Sequence, residues 1–328
     1  MINSGIINIG VLGISKFAMR SMVPAIRALP NLFKLTALAT RNIEKLNGLN
    51  HDVKIYLDYD SLIEDSNIDA VYIPLPNGLH YEYARKCLLK NKHVLVEKSI
   101  ACELSQVEEL AEIATSRGLT LNENFCFIHH AQFSVLKNLI TEETIGEIRC
   151  IRANFSFPPF QDKNNIRYDK KLGGGALFDA GVYPLKIIGE LMEDDLTIGD
   201  ANMLYKNENG VDIQGWGTIA NKNIFSQFYY GFDSYYQCNI EVLGTKGRLL
   251  TNRIFTAPNN YSAKILLDED GSTETIEIRP DDQYLNSLKY FNSLINDSVK
   301  RAREVKSIVD HAKLTNNFKN FSNKRISA

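Results

Sequence analysis

Short β-branched runs alternate with helix-patterned segments through the first ~125 residues, and this rhythm restricts the fold more than any other feature. IINIGVL (6–12), FKLTALAT (33–40), DAVYIPLP (69–76), KHVLVEK (92–98) and LTLNEN (119–124) read as strands. KFAMRSMVPAIRAL (16–29), RNIEKLNGL (41–49), LHYEYARKCLLKN (79–91) and ELSQVEELAEIATSRG (103–118) read as the helices between them, the last stopped by Gly118. Strand and helix in strict turn predict a parallel sheet with helices on both faces.

After about residue 125 the rhythm changes. HHAQFSVLKNLIT (129–141) reads as a helix, GEIRCIRANFSF (146–157) as a long strand, and PPFQDKNNIRYDKK (158–171) as an irregular polar stretch. Six strand-like runs follow: DIQGWGTIA, NIFSQFYYGF, YYQCNIEVLG, GRLLTNRIF, SAKILLDE and TETIEIR. The turns NENG, ANKN and GTKG link several of them, which predicts a mostly antiparallel sheet. Helical segments at 281–298 and about 304–322 close the chain. The expected class is α/β, with a dinucleotide-binding (Rossmann) domain over 1–125 and an α+β domain over 126–328. The last helix is expected to pack back on the first domain.

The bulk numbers exclude several functions. A chain of 328 residues with 44% hydrophobic and 23% charged residues has the composition of an ordinary globular protein. A net charge of −2 gives no reason to expect nucleic acid or an anionic membrane as partner. No apolar run approaches the ~18 residues of a membrane helix, and MINSGIINIGVLG has no basic region of a signal peptide. The five cysteines, Cys87, Cys102, Cys126, Cys150 and Cys238, are an odd number, widely spaced and without a C-x-x-C pair. They are expected to be reduced thiols in a cytoplasmic protein.

IGVLGISKFA stands where the first strand meets the first helix, the place where a dinucleotide pyrophosphate docks on helix N–H groups. The spacing G-x-G-x-x-G/A falls on Gly13, Ser15 and Ala18, with serine at the middle glycine. At the end of the second strand stand Thr40 and Arg41, with no acid between Phe33 and Asn42. A free 2′-hydroxyl is usually held there by Asp or Glu, whereas a 2′-phosphate wants a hydroxyl and a guanidinium, so NADP(H) is expected rather than NAD(H).

HVLVEKSIA (93–101), with DAVYIPLPNGLHYEYA before it and LGGGALFDAGVYPL (172–185) after it, resembles the glucose–fructose oxidoreductase / inositol dehydrogenase / MocA-like family over most of the chain. The resemblance implies a C-terminal domain with a large, open, mostly antiparallel sheet. The family's Glu-Lys-Pro falls on Glu97, Lys98 and Ser99, which makes Lys98 the implied catalytic lysine; the proline is serine here. Its Thr-Pro-Asn-x-x-His falls on Leu75, Pro76, Asn77 and His80, implied to lie along the cofactor. The Gly-Gly-Gly segment is implied to start a helix facing the nicotinamide, its glycines letting backbone approach the ligand. Asp179 and Tyr183, four apart, share a face if that segment is helical, with Pro184 as an expected kink. The implied cofactor-binding set is Gly10, Gly13, Ile14, Ser15, Lys16, Phe17, Ala18, Thr40, Arg41, Leu75, Pro76, Asn77, His80, Glu97, Lys98, Asn124 and Arg167, with no metal. Within the family, FSFPPFQDKNNIRYDKK, GTKGRLLTNRIFTAP and RPDDQYLNSLKYF are similar to sugar-nucleotide C-3 ketoreductases of deoxysugar synthesis. Xylose dehydrogenases and dihydrodiol dehydrogenases share several of these motifs and form the alternative; a cofactor-binding sensor without turnover is a third reading.

A ketone that accepts hydride needs a proton and a cation near its oxygen. Lys98 and Tyr183 are the acid candidates, with Asp179 orienting Lys98. Arg167 has two readings, a phosphate contact or a loop-ordering salt bridge. His129 and His130 read as polar residues of a helix start. A homo-dimer or homo-tetramer is expected through the second sheet, because Ile224, Phe228 and Tyr230 point to one face while Phe225 and Tyr229 point to the other.

Overall fold

The computed structural model describes residues 5–46, 52–162, 164–192, 195–206 and 210–326. By its contacts the chain forms two units, one of the residues up to Asn124 with Tyr284–Asp310, the other of Phe125–Gln283 with the residues from His311.

Unit 1 holds a six-stranded sheet in which every pairing is parallel. In chain order it contains β1 (Ile7–Leu12), a π-turn Ala18–Met22 running into α1 (Val23–Arg27), and β2 (Phe33–Ala39). Next come β3 (Lys54–Tyr56), α2 (Tyr59–Glu64), β4 (Ala70–Ile73), α3 (Asn77–Leu89), β5 (His93–Glu97), α4 (Leu104–Arg117) and β6 (Leu121–Asn124). The strand order is β3-β2-β1-β4-β5-β6. All of β4 and the centre of β5 are buried, as a strand covered on both faces must be.

Two elements of this unit depart from the sequence reading. The helix expected over 41–49 is a 3₁₀ turn at Ile43–Leu46, and residues 47–49 lie outside the described residues. Strand β3 and helix α2 were not anticipated; α2 starts on Asp58, whose carboxylate caps it by accepting the Ser61 N–H at 2.7 Å.

Unit 2 contains α5 (Ala131–Thr141), β7 (Ile148–Ser156), and a π-turn Leu177–Gly181 that continues into α6 (Val182–Met192). The strands β8 (Thr197–Tyr205), β9 (Asp212–Ala220), β10 (Phe225–Gly231), β11 (Gln237–Gly244), β12 (Gly247–Asn252), β13 (Lys264–Glu269) and β14 (Ser272–Glu277) follow. Helices α7 (Gln283–Asn296) and α8 (Ser298–Phe321) precede β15 (Asn323–Ile326). The nine-stranded sheet runs β14-β13-β12-β11-β7-β10-β9-β8-β15, antiparallel except for β7/β10 and β8/β15. β8 and β15 were not expected as strands.

Residues 284–310, which a division at 125 leaves with the second domain, join unit 1 instead. Leu288, Phe291 and Leu294 of α7 are fully buried, Phe291 stacks on Phe33 of β2, and Asn122 of β6 donates to Glu304 of α8. This is a larger return than a last helix alone.

The nine-stranded sheet is two-faced. Along β11, Cys238, Ile240 and Val242 are buried and Gln237, Asn239 and Glu241 alternate with them. Phe228 and Tyr230 of β10 point to the buried face and meet Phe318 of α8 at 5.1 and 6.2 Å. The opposite face carries a cross-strand ladder in which Arg152 and Arg248 share Glu241 at 2.7 and 3.0 Å, and Arg248 also reaches Asp268. No helix of the described residues is long and apolar enough to cross a membrane.

Candidate functional site

The turn after β1 is shaped by Gly13. Its φ of +102° suits glycine, and a Cβ there would stand 2.7 Å from Leu75 Cδ2. Gly13 N–H is tied to Ala39 of β2, which fixes the turn to the neighbouring strand end. Ser15, at the middle glycine of the fingerprint, accepts the Ala18 N–H on its Oγ at 3.0 Å and so caps the first helical turn. Gly10 lies inside β1 and gives room to Leu62 and Ile68. Ile14 and Ala18 are buried, Lys16 is exposed, and Phe17 meets Tyr284 edge to face.

At the end of β2 the Arg41 guanidinium is exposed and lies over the Tyr59 ring, 5.0 Å from its centroid. Thr40 precedes Arg41 at the end of β2. It is buried, and its hydroxyl bridges the N–H and the carbonyl of Asn42. A bare glycine turn, a capped helix start and an exposed guanidinium at the next strand end fit a dinucleotide with a 2′-phosphate.

The carboxyl ends of β4, β5 and β6 form a polar frame around Lys98. Glu97 Oε1 accepts from Tyr72 and from Asn124, each at 2.7 Å. Burial raises the Glu97 carboxyl above its ordinary range. Asn124 in turn accepts the Ser287 hydroxyl at 2.6 Å. On the other side of Lys98, Ile100 N–H donates to Glu123 at 2.9 Å. Ser99, in the place of the family proline, follows a cis Lys98–Ser99 peptide bond.

His80 belongs to this frame. It is fully buried, with Nδ1 2.7 Å from the Ser99 carbonyl and Nε2 2.6 Å from the Leu75 carbonyl. Burial, helped by the Lys98 charge, lowers its pKa to about 4. It joins the loops after β4 and β5. Leu75, Pro76 and Asn77, at the entry to α3, keep partial exposure.

In unit 2, Asp179 lies in the π-turn and Tyr183 in the first turn of α6. The helical path continues through Pro184, and its local irregularity is the π-turn Leu177–Gly181 just before it. The Tyr183 ring sits among Phe125, Phe127, Phe155 and Phe255, with centroids 5.1 to 5.8 Å away. Arg167 donates from Nε to Asp179 Oδ2 at 2.6 Å and lies over the Phe160 ring. Of its two readings, this geometry is the loop-ordering salt bridge. His130 accepts the Gln132 N–H and starts α5, as its sequence position suggested. His129 is half-buried, and desolvation lowers its pKa to about 4.

The Gly-Gly-Gly segment serves the protein's own packing. A Cβ on Gly174 would press on the Arg167 carbonyl, and one on Gly175, at φ +120°, would collide with Asp212 Oδ1. Sequence reasoning missed Asp212, Tyr72, Glu123 and Ser287. Only Tyr72 and Glu123 carried a local signal, as polar groups inside otherwise apolar strand ends.

Comparisons with known proteins agree with this geometry. Residues 7–125 match the model of an oxidoreductase family with an NAD-binding Rossmann fold (GFO_IDH_MocA), and residues 133–250 match the GFO/IDH/MocA C-terminal domain. The chain is 34% identical over 292 residues to a dTDP-3,4-didehydro-2,6-dideoxy-alpha-D-glucose 3-reductase of Actinomadura kijaniata, covering 88% of this chain and 87% of the relative. It is 35% identical over 294 residues to the enzyme of the same name from Saccharopolyspora spinosa, covering 87% and 86%. The crystal structure of KijD10, a 3-ketoreductase from Actinomadura kijaniata in complex with NADP and TDP-benzene, superposes with a TM-score of 0.94 at 31% identity, covering 99% of this chain and 100% of KijD10. KijD10 was also crystallised as variants with a lysine changed to alanine or glutamate and a tyrosine changed to phenylalanine.

Proposed function

Because the chain belongs to the GFO/IDH/MocA family of oxidoreductases with an NAD-binding Rossmann fold, we propose that it reduces the C-3 keto group of a nucleotide-linked deoxysugar, with NADPH as reductant. The observation that carries this reading is end-to-end similarity to 3-ketoreductases, joined to an arginine rather than an acid at the end of β2.

When bound, the nicotinamide supplies the hydride. The chain's residues supply the rest. Gly13, Ser15 and Arg41 hold the dinucleotide. Lys98, on a strand end fixed through Glu97 before it and Ser99 and Ile100 after it, stabilises negative charge on the former carbonyl oxygen. Lys98 and Tyr183 are the proposed proton donors, and Asp179 is ion-paired with Arg167 at 2.6 Å. The ketone gains one hydride at carbon and one proton at oxygen, and the cofactor is oxidised.

The test is to follow NADPH oxidation with a nucleoside-diphosphate-linked 3-ketosugar, beside the reverse reaction with free xylose or a trans-dihydrodiol. Turnover confined to the nucleotide-linked ketone is expected. Turnover only with the free sugar or diol overturns the substrate class, and cofactor binding without any turnover favours a sensor. The cytoplasm is the proposed compartment, where five thiols stay reduced.

A second copy of the chain is the proposed partner of the outward face of the nine-stranded sheet. That face combines Trp216 and Tyr229, both half-buried, and Phe225, 43% exposed, with the Arg152–Glu241–Arg248–Asp268 ladder. Charges of both signs on one patch are self-complementary across a two-fold axis. Light scattering at micromolar concentration is expected to give a dimer or tetramer; a monomer contradicts this contact.

A further inference from the structure

Asp212, the first residue of β9, is 6% exposed, and no step above uses it. Its Oδ2 accepts the Leu177 N–H at 2.7 Å. Leu177 opens the π-turn that carries Asp179 and leads into the turn of Tyr183. Its Oδ1 fills the space beside Gly175, where no side chain can start.

Two further glycines clear room for the residue that adjoins this carboxyl, Tyr230. A Cβ on Gly181 would stand 2.9 Å from the Tyr230 ring, and one on Gly215 would collide with the Tyr230 hydroxyl. That hydroxyl is buried without a partner of hydrogen-bonding geometry among the described residues. Three glycines from a helix start, a helix and a strand thus give way to one acidic group and its neighbour. The ionisable groups facing the carboxyl are Tyr230 of β10, Tyr205 of β8, which is its cross-strand partner, and Lys319 of α8.

We propose that Asp212 is a positioning residue for the reaction: from β9 it caps the helical segment 176–192 and so fixes where Asp179 and Tyr183 stand. The proposal rests on the reductase reading for its effect on turnover, and on geometry alone for the cap.

The cap is sensitive to pH. Burial raises the Asp212 carboxyl to about 7, against the opposing pull of the Leu177 N–H. A carboxylate is a stronger acceptor than a neutral acid, so the bond to Leu177 tightens as pH rises through that value. Global stability moves the other way. The folded-state pKa lies above that of the unfolded chain, so the folded protein holds this proton more tightly. The group's contribution to stability is full below ~4 and is lost as pH rises toward about 7.

Two variants test the proposal. Asp212→Asn keeps the shape and an oxygen for Leu177 but does not titrate; Asp212→Leu removes the acceptor. Amide hydrogen exchange over 177–183, corrected for intrinsic rates, is read between pH 6 and 8 without substrate. Protection is expected to rise with pH in the wild type, to stay flat in Asp212→Asn, and to drop about tenfold or more in Asp212→Leu, the loss that follows from orphaning a buried N–H. kcat is expected to fall by a similar factor in Asp212→Leu at unchanged KM for NADPH, and to return within about threefold in Asp212→Asn. Wild-type protection and kcat in Asp212→Leu overturn the proposal. So does a pH response in Asp212→Asn that matches the wild type, and this decides the matter if the leucine variant does not fold. A wild-type protein without turnover on any ketone sinks the reductase reading, while the exchange data still decide the cap.

Discussion

Replacing Lys98 with alanine is expected to lower kcat by ~10²–10⁴ while leaving NADPH binding and the fold in place. In the proposed mechanism the loss combines two effects, because one ammonium both stabilises the developing alkoxide and takes part in proton delivery. The fold survives because the local backbone is held by other groups. Tyr72 and Asn124 bind Glu97, His80 reaches the Ser99 carbonyl, and Glu123 takes the Ile100 N–H. Cofactor binding is expected to survive because its proposed contacts are the Gly13 turn and Arg41. Tyr183→Phe leaves the ring among its four aromatic neighbours, so it too is expected to fold. Its kcat falls less than that of Lys98→Ala if the lysine can protonate the alkoxide itself, and as much if the tyrosine is the obligate donor. The double variant separates these cases: two residues acting as one unit give a loss well short of the product of the single losses. Single-turnover kinetics with a nucleotide-linked 3-ketosugar make the measurement. Near-normal turnover in Lys98→Ala would remove the lysine from the mechanism.

What could be read from the sequence was what burial writes into it. β1, β4 and β5 are short apolar runs because both sheet faces are covered, and β11 alternates because one face is not. Elements without such a signature were missed. β3 has three residues, none of them buried. β8 is irregular, with register shifts near both ends and an exposed Gly199–Asp200 pair. β15 is exposed throughout and owes its place to pairing with β8. The return of 284–310 to unit 1 depends on contacts with β2 and β6, far away in sequence.

The site divides along a similar line. Lys98 and Arg41 could be proposed from sequence because strand ends in a parallel sheet are where ligands bind, and local sequence fixes a strand end. The hydrogen bonds of His80 and Thr40 could not be, since each depends on burial. His80 meets a carbonyl 19 residues away, and Thr40 turns its hydroxyl into its own loop. The triple glycine showed where the backbone is unusual but not why. For Gly175 one reason lies with Asp212, 35 positions from the N–H it accepts, and no local pattern encodes that pairing.

Arg41→Ala is expected to raise the dissociation constant for NADPH about ten- to a hundredfold and to leave that for NADH nearly unchanged. A charge-assisted hydrogen bond to a guanidinium contributes roughly 1.5–3 kcal/mol, which sets that range. Two observations concentrate the effect on this residue. The Thr40 hydroxyl is committed to Asn42, so it offers the phosphate little. The Arg41 guanidinium rests on the Tyr59 ring, which orders the side chain before any ligand arrives and reduces the entropy lost on binding. Tyr59→Leu should therefore weaken NADPH binding by a smaller factor in the same direction, with the charge intact. Added salt should narrow the gap between the two cofactors, since an exposed pair is screened. Titration of cofactor fluorescence against the wild type and both variants measures all three effects. Equal dissociation constants for NADPH and NADH in the wild type, unmoved by Arg41→Ala, would sink the assignment of the 2′-phosphate to this strand end.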